Sequence, residues 1–237
     1  MTQNFSWFKT DDGSYTLHRR DIDEIYHSRS GALTECRHVY LNPFLQSSPQ
    51  SHSPTWRVLD VGFGLGYNWL CYVNETYSNG QNQSPPPDFL DITSIEHEPE
   101  ILTLPVTNEH LKLGKHQEEL LNLLAEYKHN KVIARPHLRS QLMIGDLKEK
   151  LNQLVANNAK FDVILHDPFS PSKTPECWSH EVFSLLRQCC DAETMLLTYS
   201  VAGHVRRALT EAGFEVKKIP GHGTKREQLI AFYRMRR

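Results

Sequence analysis

The stretch VLDVGFGLGYN, residues 58–68, decides the fold class of this chain. It ends the apolar, strand-like run WRVLDV and opens the helical pattern LGYNWLCYVNETY. Gly62, Gly64 and Gly66 fall between the two elements. Because glycine has no Cβ, it permits a tight turn and a close approach of the backbone to a ligand. The stretch therefore predicts a strand, a ligand-binding turn and a helix in succession.

The spacing of these glycines indicates which ligand the turn binds. The pattern is G-x-G-x-G with an acid, Asp60, just before it, whereas the dinucleotide fingerprint G-x-G-x-x-G requires a third glycine at Tyr67. The spacing favours S-adenosylmethionine over a nicotinamide cofactor. A glycine-rich turn that holds no ligand is the alternative. The residues of this stretch that we expect to contact the cofactor are Asp60, Gly62, Phe63, Gly64, Gly66 and Asn68.

Strand and helix patterns alternate from Trp56 onward. The predicted strands are short apolar runs without polar alternation, which is typical of strands buried on both faces of a parallel sheet. The last two, FEVKKI and QLIAFYRM, are separated only by PGHGTKRE, which is too short for a helical crossover, so they must pair antiparallel. The sequence therefore predicts an α/β fold of the class I (Rossmann-like) methyltransferase type, with a mainly parallel, doubly wound sheet that ends in an antiparallel hairpin.

The remaining segments complete the predicted organisation. Residues 14–41 contain the short alternating stretches SYTLH and HVYL and predict a small N-terminal β lead-in of hairpin type. We expect residues 1–45 to form a β extension packed on the core, and residues 56–237 to form the methyltransferase domain. Residues 46–55 and 78–88 are rich in Ser, Pro, Gln and Asn and poor in apolar side chains, which predicts mobile loops.

Composition excludes several classes of protein. The chain has 237 residues and a net charge of −2, and no apolar run approaches the roughly 20 residues that span a bilayer. The N-terminus has neither the basic nor the apolar region of a signal peptide, so we expect a cytoplasmic protein with no membrane partner. The five cysteines form no C-x-x-C and the thirteen histidines no H-E-x-x-H, which predicts that no metal is bound.

Two acids at the ends of predicted strands are candidate cofactor ligands. Glu96, in SIEHEP, falls at the carboxyl edge where open α/β sheets bind ligands, and its carboxylate can accept both hydroxyls of a ribose. An exposed surface glutamate is the alternative. Asp146, in MIGDL, can bond an adenine amine while the backbone N–H of Leu147 serves a ring nitrogen. An N-cap for the helix LKEKLNQLV would produce the same pattern at Asp146.

The segment HDPFSP, residues 166–171, follows the fourth predicted strand and is the candidate acceptor site. We expect Asp167 to contact the cofactor, where its carboxylate can also orient or deprotonate an amine, and the ring of Phe169 can pack on a base. Methyl transfer from a sulfonium disperses charge, so the reaction needs alignment and a free lone pair on the amine. The alternative is that Asp167 only caps the next turn, which Pro168 and Pro171 stiffen.

Basic residues concentrate near the C-terminus of a chain that is slightly acidic overall. Arg206 lies on a predicted helix, and Lys225 and Arg226 lie in the Gly-rich loop of the last hairpin. This concentration predicts a surface that contacts phosphates. Solvated surface charge is the alternative for each residue.

With these residues assembled, the chain resembles a known family, the methyltransferase part of the bifunctional tRNA wobble-uridine modification enzyme MnmC and its stand-alone relatives of the MnmD type. The resemblance implies methyl transfer to the exocyclic amine of 5-aminomethyl-(2-thio)uridine at the tRNA wobble position. It also implies an acceptor role for Asp167, and a position near the tRNA for Lys225 and Arg226. Gly62, Gly64, Gly66 and Glu96 match cofactor residues of the family. The matching segments are YHSRSGALTECRHVYL (26–41), VLDVGFGLGYNWL (58–70), SIEHEP (94–99), HDPFSPSKTPECW (166–178), TYSVAGHVRRAL (198–209) and GFEVKKIPGHGTKRE (213–227).

The bifunctional enzyme carries a second, FAD-dependent domain for which this chain is too short, so we expect no FAD. Three other functions stay open. The Asp-Pro-Phe sequence is similar to the Asp/Asn-Pro-Pro-aromatic motif of enzymes that methylate exocyclic amines of nucleobases, although we do not expect DNA as a partner. An aminopropyltransferase-type enzyme acting on a small amine has a similar fold. A cofactor-binding RNA module without turnover is the third.

Overall fold

The computed structural model describes residues 4–77, 86–221 and 227–234. Its centre is an eight-stranded sheet in the order β10-β11-β9-β8-β4-β5-β7-β6. The five adjacent strands from β9 to β7 are parallel to one another, whereas β11, β10 and β6 pair antiparallel. The strands are β4 (Thr55–Val61), β5 (Phe89–Glu96), β6 (Val132–Arg135), β7 (Leu138–Ile144), β8 (Phe161–His166), β9 (Cys190–Thr198), β10 (Glu215–Pro220) and β11 (Glu227–Arg234).

Helices cover both faces of this sheet. Successive residues of a strand point to opposite faces, so Val58 and Leu59 of β4 enter two different cores. Val58 packs with residues of α3 and α4, and Leu59 with residues of α5, α6 and α7. The predicted fold class, with its parallel centre and terminal antiparallel hairpin, is confirmed. The helices are α3 (Tyr67–Thr76), α4 (Gln117–Asn130), α5 (Leu147–Ala156), α6 (His180–Gln188) and α7 (Gly203–Glu211).

The N-terminal segment forms a second, small antiparallel sheet of β1 (Phe5–Lys9), β2 (Tyr15–Arg19) and β3 (Glu24–Ile25). Phe5 and Leu17 belong to the same core as Val58, so this sheet packs against the central one. The division into residues 1–45 and 56–237 stays a prediction.

Part of the predicted lead-in was wrong, because HVYL is helical. Residues 32–47 form α1 (Ala32–Glu35), a π-helical turn (Cys36–Leu41) and α2 (Asn42–Ser47). Cys36, Val39 and Tyr40 are buried together, which is a helical spacing. A four-residue apolar run fits a strand or a helix equally well, and here tertiary packing selects the helix.

Residues 46–55 also differ from the mobile loop that their composition predicts. A short 3₁₀ turn, Pro49–His52, lies within them. Ser51 is 1 % exposed, its hydroxyl donates to Ser48 O at 2.7 Å, and its carbonyl accepts from Trp56 Nε1 at 3.2 Å. A serine hydroxyl bonded to nearby backbone allows a polar segment to pack. The second predicted loop, 78–88, lies mostly outside the described residues.

None of the helices in the described part of the chain is long and apolar enough to cross a membrane.

Candidate functional site

A cavity of about 790 Å³ opens at the carboxyl ends of β4, β5, β7 and β8. The strand order reverses around β4, whose neighbours are β5 and β8, and open α/β sheets bind ligands at such a point. The N-terminal sheet and the helical segment after it close the opposite wall. The residues that line the cavity include Arg19, Glu24, Tyr26, Glu35, Gly62, Gly64, Glu96, Asp146, Leu147, Asp167 and Phe169.

The glycine turn forms the floor of the cavity. The backbone N–H groups of Gly62 and Phe63 both donate to Ile95 O, at 3.0 and 3.1 Å, which ties the turn to the end of β5. Gly62 has a φ of +88°, and a Cβ there would lie 2.5 Å from the carbonyl oxygen of Asp167. Only glycine therefore fits between the turn and the loop after β8.

Glu96 is a buried cavity residue, 7 % exposed, so the alternative of a surface glutamate is wrong. Its carboxylate accepts from Gly64 N at 2.7 Å and from Glu98 N at 2.8 Å. Burial raises the pKa of this carboxyl, although the backbone donors partly oppose that effect. The contact with a ribose stays a prediction.

Asp146 caps α5. Its Oδ1 accepts from Glu149 N at 3.0 Å, as the capping interpretation requires. Asp146 and Leu147 also line the cavity, and capping leaves the other carboxylate oxygen of Asp146 for a ligand. The adenine contact therefore remains a prediction that is compatible with the cap.

Four predicted cofactor residues lie beneath the turn and do not contribute to the described cavity wall: Asp60, Phe63, Gly66 and Asn68. Asp60 is fully buried, accepts from Ser94 Oγ at 3.0 Å, and has a pKa that burial raises to about 7. Phe63 packs edge-to-face on Tyr127. A Cβ on Gly66 would meet Leu124 at 2.6 Å, so this glycine serves packing. These residues support the turn from below.

Asp167 faces the cavity in a fixed orientation. Tyr40 Oη donates to its Oδ1 at 2.5 Å, and Asn68 Nδ2 donates to its Oδ2 at 2.9 Å. Its own N–H donates to Val61 O at 2.9 Å, which anchors the loop to β4. Burial raises the pKa of Asp167 well above its ordinary value, the negative charge of Glu35 adds to the rise, and the two donors oppose it.

Phe169 forms the adjoining wall, and the N-terminal sheet holds it. Its ring meets the ring of Tyr26 edge-on, with 4.7 Å between centroids, and the Arg19 guanidinium lies 5.9 Å from its centroid. Glu24 accepts from Ser170 N at 2.9 Å and from Ser170 Oγ at 2.8 Å. Trp178 Nε1 donates to Phe169 O at 2.8 Å. The loop after β8 is thus hydrogen-bonded to β3 as well as to the central sheet.

The sequence reasoning missed the residues that surround the acceptor loop: Arg19, Glu24, Tyr26, Glu35 and Tyr40. All five precede the glycine turn, and Tyr40 lies 127 positions from Asp167. The motif YHSRSGALTECRHVYL contains three of them and was recognised, but no role followed from it. A sequence pattern alone does not show that this helix packs against the loop after β8.

Of the predicted phosphate-contacting residues, Arg206 lies in the described part of the chain. Arg206 is exposed on α7, away from the described cavity wall, and Lys225 and Arg226 lie outside the described residues. Nearby, Lys217 pairs with Glu215 at 2.9 Å and Lys218 with Glu227 at 2.6 Å. A role of this surface in binding stays a prediction.

The charge of the cavity favours a cationic ligand. Carboxylates on its wall outnumber basic side chains, and such an excess attracts a sulfonium or an ammonium group. Tyr26 Oη is buried without a hydrogen bond of ordinary geometry to the described residues, so a ligand could supply its partner. In the described ranges, no group of three or more His, Cys, Asp or Glu side chains could hold a metal ion. The acids are Asp11, Glu24, Glu35, Glu96, Glu98, Asp146, Asp167 and Glu176, and the basic residues Arg19, Arg29 and Lys148.

Comparisons with known proteins show what this chain is similar to. The tRNA 5-methylaminomethyl-2-thiouridine biosynthesis bifunctional protein MnmC of Ralstonia nicotianae is 32 % identical over 222 residues, covering 89 % of this chain and 32 % of the relative. The MnmC protein of Chromobacterium violaceum is 34 % identical over 216 residues, covering 86 % and 31 %. The chain therefore spans about a third of the length of the curated relatives it matches.

A solved structure and a family model extend the comparison. The crystal structure of MNMC2 from Aquifex aeolicus matches with a TM-score of 0.78 and 29 % identity, covering 96 % of this chain and 70 % of that one. The resemblance to MnmC that the sequence motifs indicated is confirmed. The model of a family described as S-adenosyl-L-methionine-dependent methyltransferase matches residues 112–234, more than half of the chain. The chain belongs to this family of S-adenosyl-L-methionine-dependent methyltransferases.

Proposed function

We propose that this chain methylates the exocyclic amine of 5-aminomethyl-(2-thio)uridine at the tRNA wobble position and produces 5-methylaminomethyl-uridine. The observation that carries the proposal is the oriented carboxylate of Asp167, which faces an acid-lined cavity beside Phe169 and directly above the glycine turn. The name of the relatives, tRNA 5-methylaminomethyl-2-thiouridine biosynthesis bifunctional protein, supports this choice of acceptor. A tRNA substrate would place the activity in the cytoplasm.

The residues on the floor of the cavity fit S-adenosyl-L-methionine. A volume of about 790 Å³ lies within the roughly 300–1,000 Å³ of small-molecule sites. Gly62 and Gly64 would bring backbone to the cofactor, Glu96 would accept the ribose hydroxyls, and Asp146 with Leu147 would hold the adenine. Bound there, the cofactor supplies an electrophilic methyl group on a sulfonium sulfur.

The acceptor residues would then do two things. Asp167 would accept an N–H of the amine, and its raised pKa makes it a stronger base for the ammonium proton. The ring of Phe169, held by Tyr26 and Arg19, offers a flat apolar surface on which the uracil can stack. Tyr40 and Asn68 would keep the carboxylate aligned, and alignment accounts for much of the rate of such a transfer.

A labelling experiment tests the proposal. The purified chain is incubated with S-adenosyl-L-methionine carrying a labelled methyl group and, in separate reactions, tRNA with 5-aminomethyl-uridine, the same tRNA unmodified, or DNA. A further reaction supplies a polyamine precursor together with decarboxylated S-adenosylmethionine, the donor that an aminopropyltransferase requires. We expect label only in the first tRNA, at the wobble nucleoside. Labelling of DNA would favour a nucleobase methyltransferase. Consumption of a small amine would favour an enzyme of the aminopropyltransferase class. Binding of tRNA without transfer of label would favour a module without turnover. Each of these results would overturn the proposal.

A further inference from the structure

The helical segment at residues 32–47 has an irregularity beside the acceptor loop. The π-helical turn Cys36–Leu41 begins immediately after Glu35, and the N–H of Asn42 bonds to Arg37 O, five residues back. Such i to i+5 bonds bring residues five apart toward the same face, and π turns often occur at functional sites. Glu35 and Tyr40 are five apart; Tyr40 bonds to Asp167, and Glu35 lines the cavity that Asp167 faces.

Both residues act on Asp167 in this structure. Tyr40 donates a hydrogen bond to it, and the negative charge of Glu35 contributes, after burial, to the raised pKa of Asp167. Glu35 is only 7 % exposed, lines the same cavity, and accepts from Ser28 N at 2.6 Å through Oε2. Burying a carboxylate costs free energy, and a cationic ligand in the cavity would offset that cost.

The chemistry of a primary amine calls for two acceptors. At neutral pH it arrives as an ammonium group, which must lose one proton before its nitrogen can react. The neutral amine retains two N–H groups and one lone pair, so two acceptors that bind the two N–H groups leave the lone pair directed at the methyl group. Asp167 alone binds only one of the two N–H groups and so does not fix the direction of the lone pair.

We propose that Glu35 is the second carboxylate of the acceptor site and binds the substrate amine together with Asp167. This role rests on the proposed function. Asp167 takes the proton from the ammonium group. The nitrogen lone pair then forms the new C–N bond while the C–S bond breaks and its electron pair stays on sulfur. Glu35 pairs first with the ammonium, then with the secondary ammonium product.

The pH dependence of the reaction distinguishes this role from a purely structural one. Activity requires ionised Asp167, so kcat/KM rises as the pH passes the pKa of this group. Replacing Glu35 by Gln removes a nearby negative charge, which lowers the pKa of Asp167. The rising limb of the pH profile of kcat/KM therefore moves to lower pH. The other titratable groups that interact with Asp167 stay unchanged in this variant: Cys36, Tyr40, Asp60 and Tyr199.

The test compares Glu35→Gln with the wild type on tRNA carrying 5-aminomethyl-uridine. The Gln side chain keeps an oxygen for Ser28 N, and melting temperature checks the fold. Loss of one charged hydrogen bond predicts a fall in kcat/KM of about 10- to 100-fold, mostly through KM, with the rising limb at lower pH. Glu35→Asp, which keeps the charge, is expected to restore the position of the limb. The control is Glu109→Gln, an exposed glutamate.

Binding supplies a readout that needs no turnover. Fluorescence anisotropy compares the affinity of each variant for the aminomethyl tRNA and for the same tRNA unmodified. We expect the wild type to prefer the aminomethyl tRNA, and Glu35→Gln to lose most of this preference while its affinity for S-adenosylhomocysteine is unchanged. If the wild type labels the aminomethyl tRNA and Glu35→Gln matches it in kcat/KM, pH profile and preference, only the role of Glu35 is wrong. If the wild type does not label this tRNA, the proposed function itself is wrong, and the role of Glu35 with it.

Discussion

The two halves of the cavity are built differently. The cofactor half, defined here by Gly62, Gly64, Glu96 and Asp146, consists of strand ends and the backbone that follows them. The acceptor half, defined by Asp167, Phe169, Tyr26 and Glu35, depends on contacts between residues 24–40 and the loop after β8. The first half is a property of the parallel sheet, and the second depends on what is packed against that sheet.

This difference suggests how a common fold acquires a particular acceptor. Any sheet of this topology offers backbone N–H groups and acids at the carboxyl ends of its strands. The acceptor half needs a second layer, here the small N-terminal sheet and the helical segment at 32–47, to orient a carboxylate and an aromatic ring. We therefore expect substitutions to separate the halves, except where the two touch: at Gly62, which lies against Asp167, and at Gly64, which lies against Tyr26.

Substitution of Gly62 is expected to have the largest effect. In Gly62→Ala the new Cβ would lie 2.5 Å from Asp167 O and would require an unfavourable φ of +88°. We expect affinity for S-adenosylhomocysteine, measured by calorimetry, to fall about 100-fold or more and activity to be lost. Gly114→Ala is the matched control, because it has a similar φ of +92° with nothing within 4 Å of the Cβ. Equal losses in both variants would mean that strain, not the contact between the halves, is responsible.

Asp167→Asn is expected to impair the function of the acceptor half without affecting the cofactor half. The amide cannot accept the ammonium proton, and loss of a general base typically lowers the rate about 10²- to 10⁴-fold. Affinity for the cofactor should change by no more than about threefold. Single-turnover rates and calorimetry provide the two measurements, with the exposed Asp88→Asn as the control. A comparable loss of cofactor affinity would show that the two halves are not separable at this position.

The cofactor half was largely predictable, because its residues follow apolar strands in a recognisable order. Gly62, Gly64, Glu96, Asp146 and Leu147 all line the cavity as expected. The strand alternation did not show which neighbouring residues point away from the cavity. Asp60 and Asn68, which were expected to contact the cofactor, are not among its lining residues, and that contact stays a prediction.

The acceptor half was predictable only at the residues that follow β8. Asp167 and Phe169 were found because a strand end and an acid-aromatic sequence are local features. Tyr40 was not, because HVYL fits two secondary structures, and its contact with Asp167 spans 127 residues. Long-range packing leaves no periodic signal in a single sequence.

Tyr40→Phe is expected to have an intermediate effect and to sharpen the comparison through its pH profile. It removes the donor to Asp167 Oδ1 that stabilises the ionised carboxylate. The pKa of Asp167 should rise, so the rising limb of kcat/KM should move to higher pH, opposite to the shift expected for Glu35→Gln. The loss of rate should be about tenfold at neutral pH. Tyr77→Phe, which removes a more exposed hydroxyl bonded to Glu119, is the control. If kcat/KM rose over the same pH range as in the wild type, this hydrogen bond would not set the protonation of Asp167.

The smallest expected effect is that of Glu24→Gln, which tests whether the N-terminal sheet positions the acceptor loop or only covers it. Glu24 accepts from both Ser170 N and Ser170 Oγ, and the neutral amide would bind these donors more weakly. Because Glu24 is half-buried and does not contact Asp167, we expect KM for the tRNA to rise about threefold with little change in kcat or cofactor affinity. Glu215→Gln removes an exposed charge paired with Lys217 and serves as the matched control. Equal KM values for wild type and Glu24→Gln would assign the orientation of the loop to the central sheet alone, through the bond from Asp167 N to Val61 O.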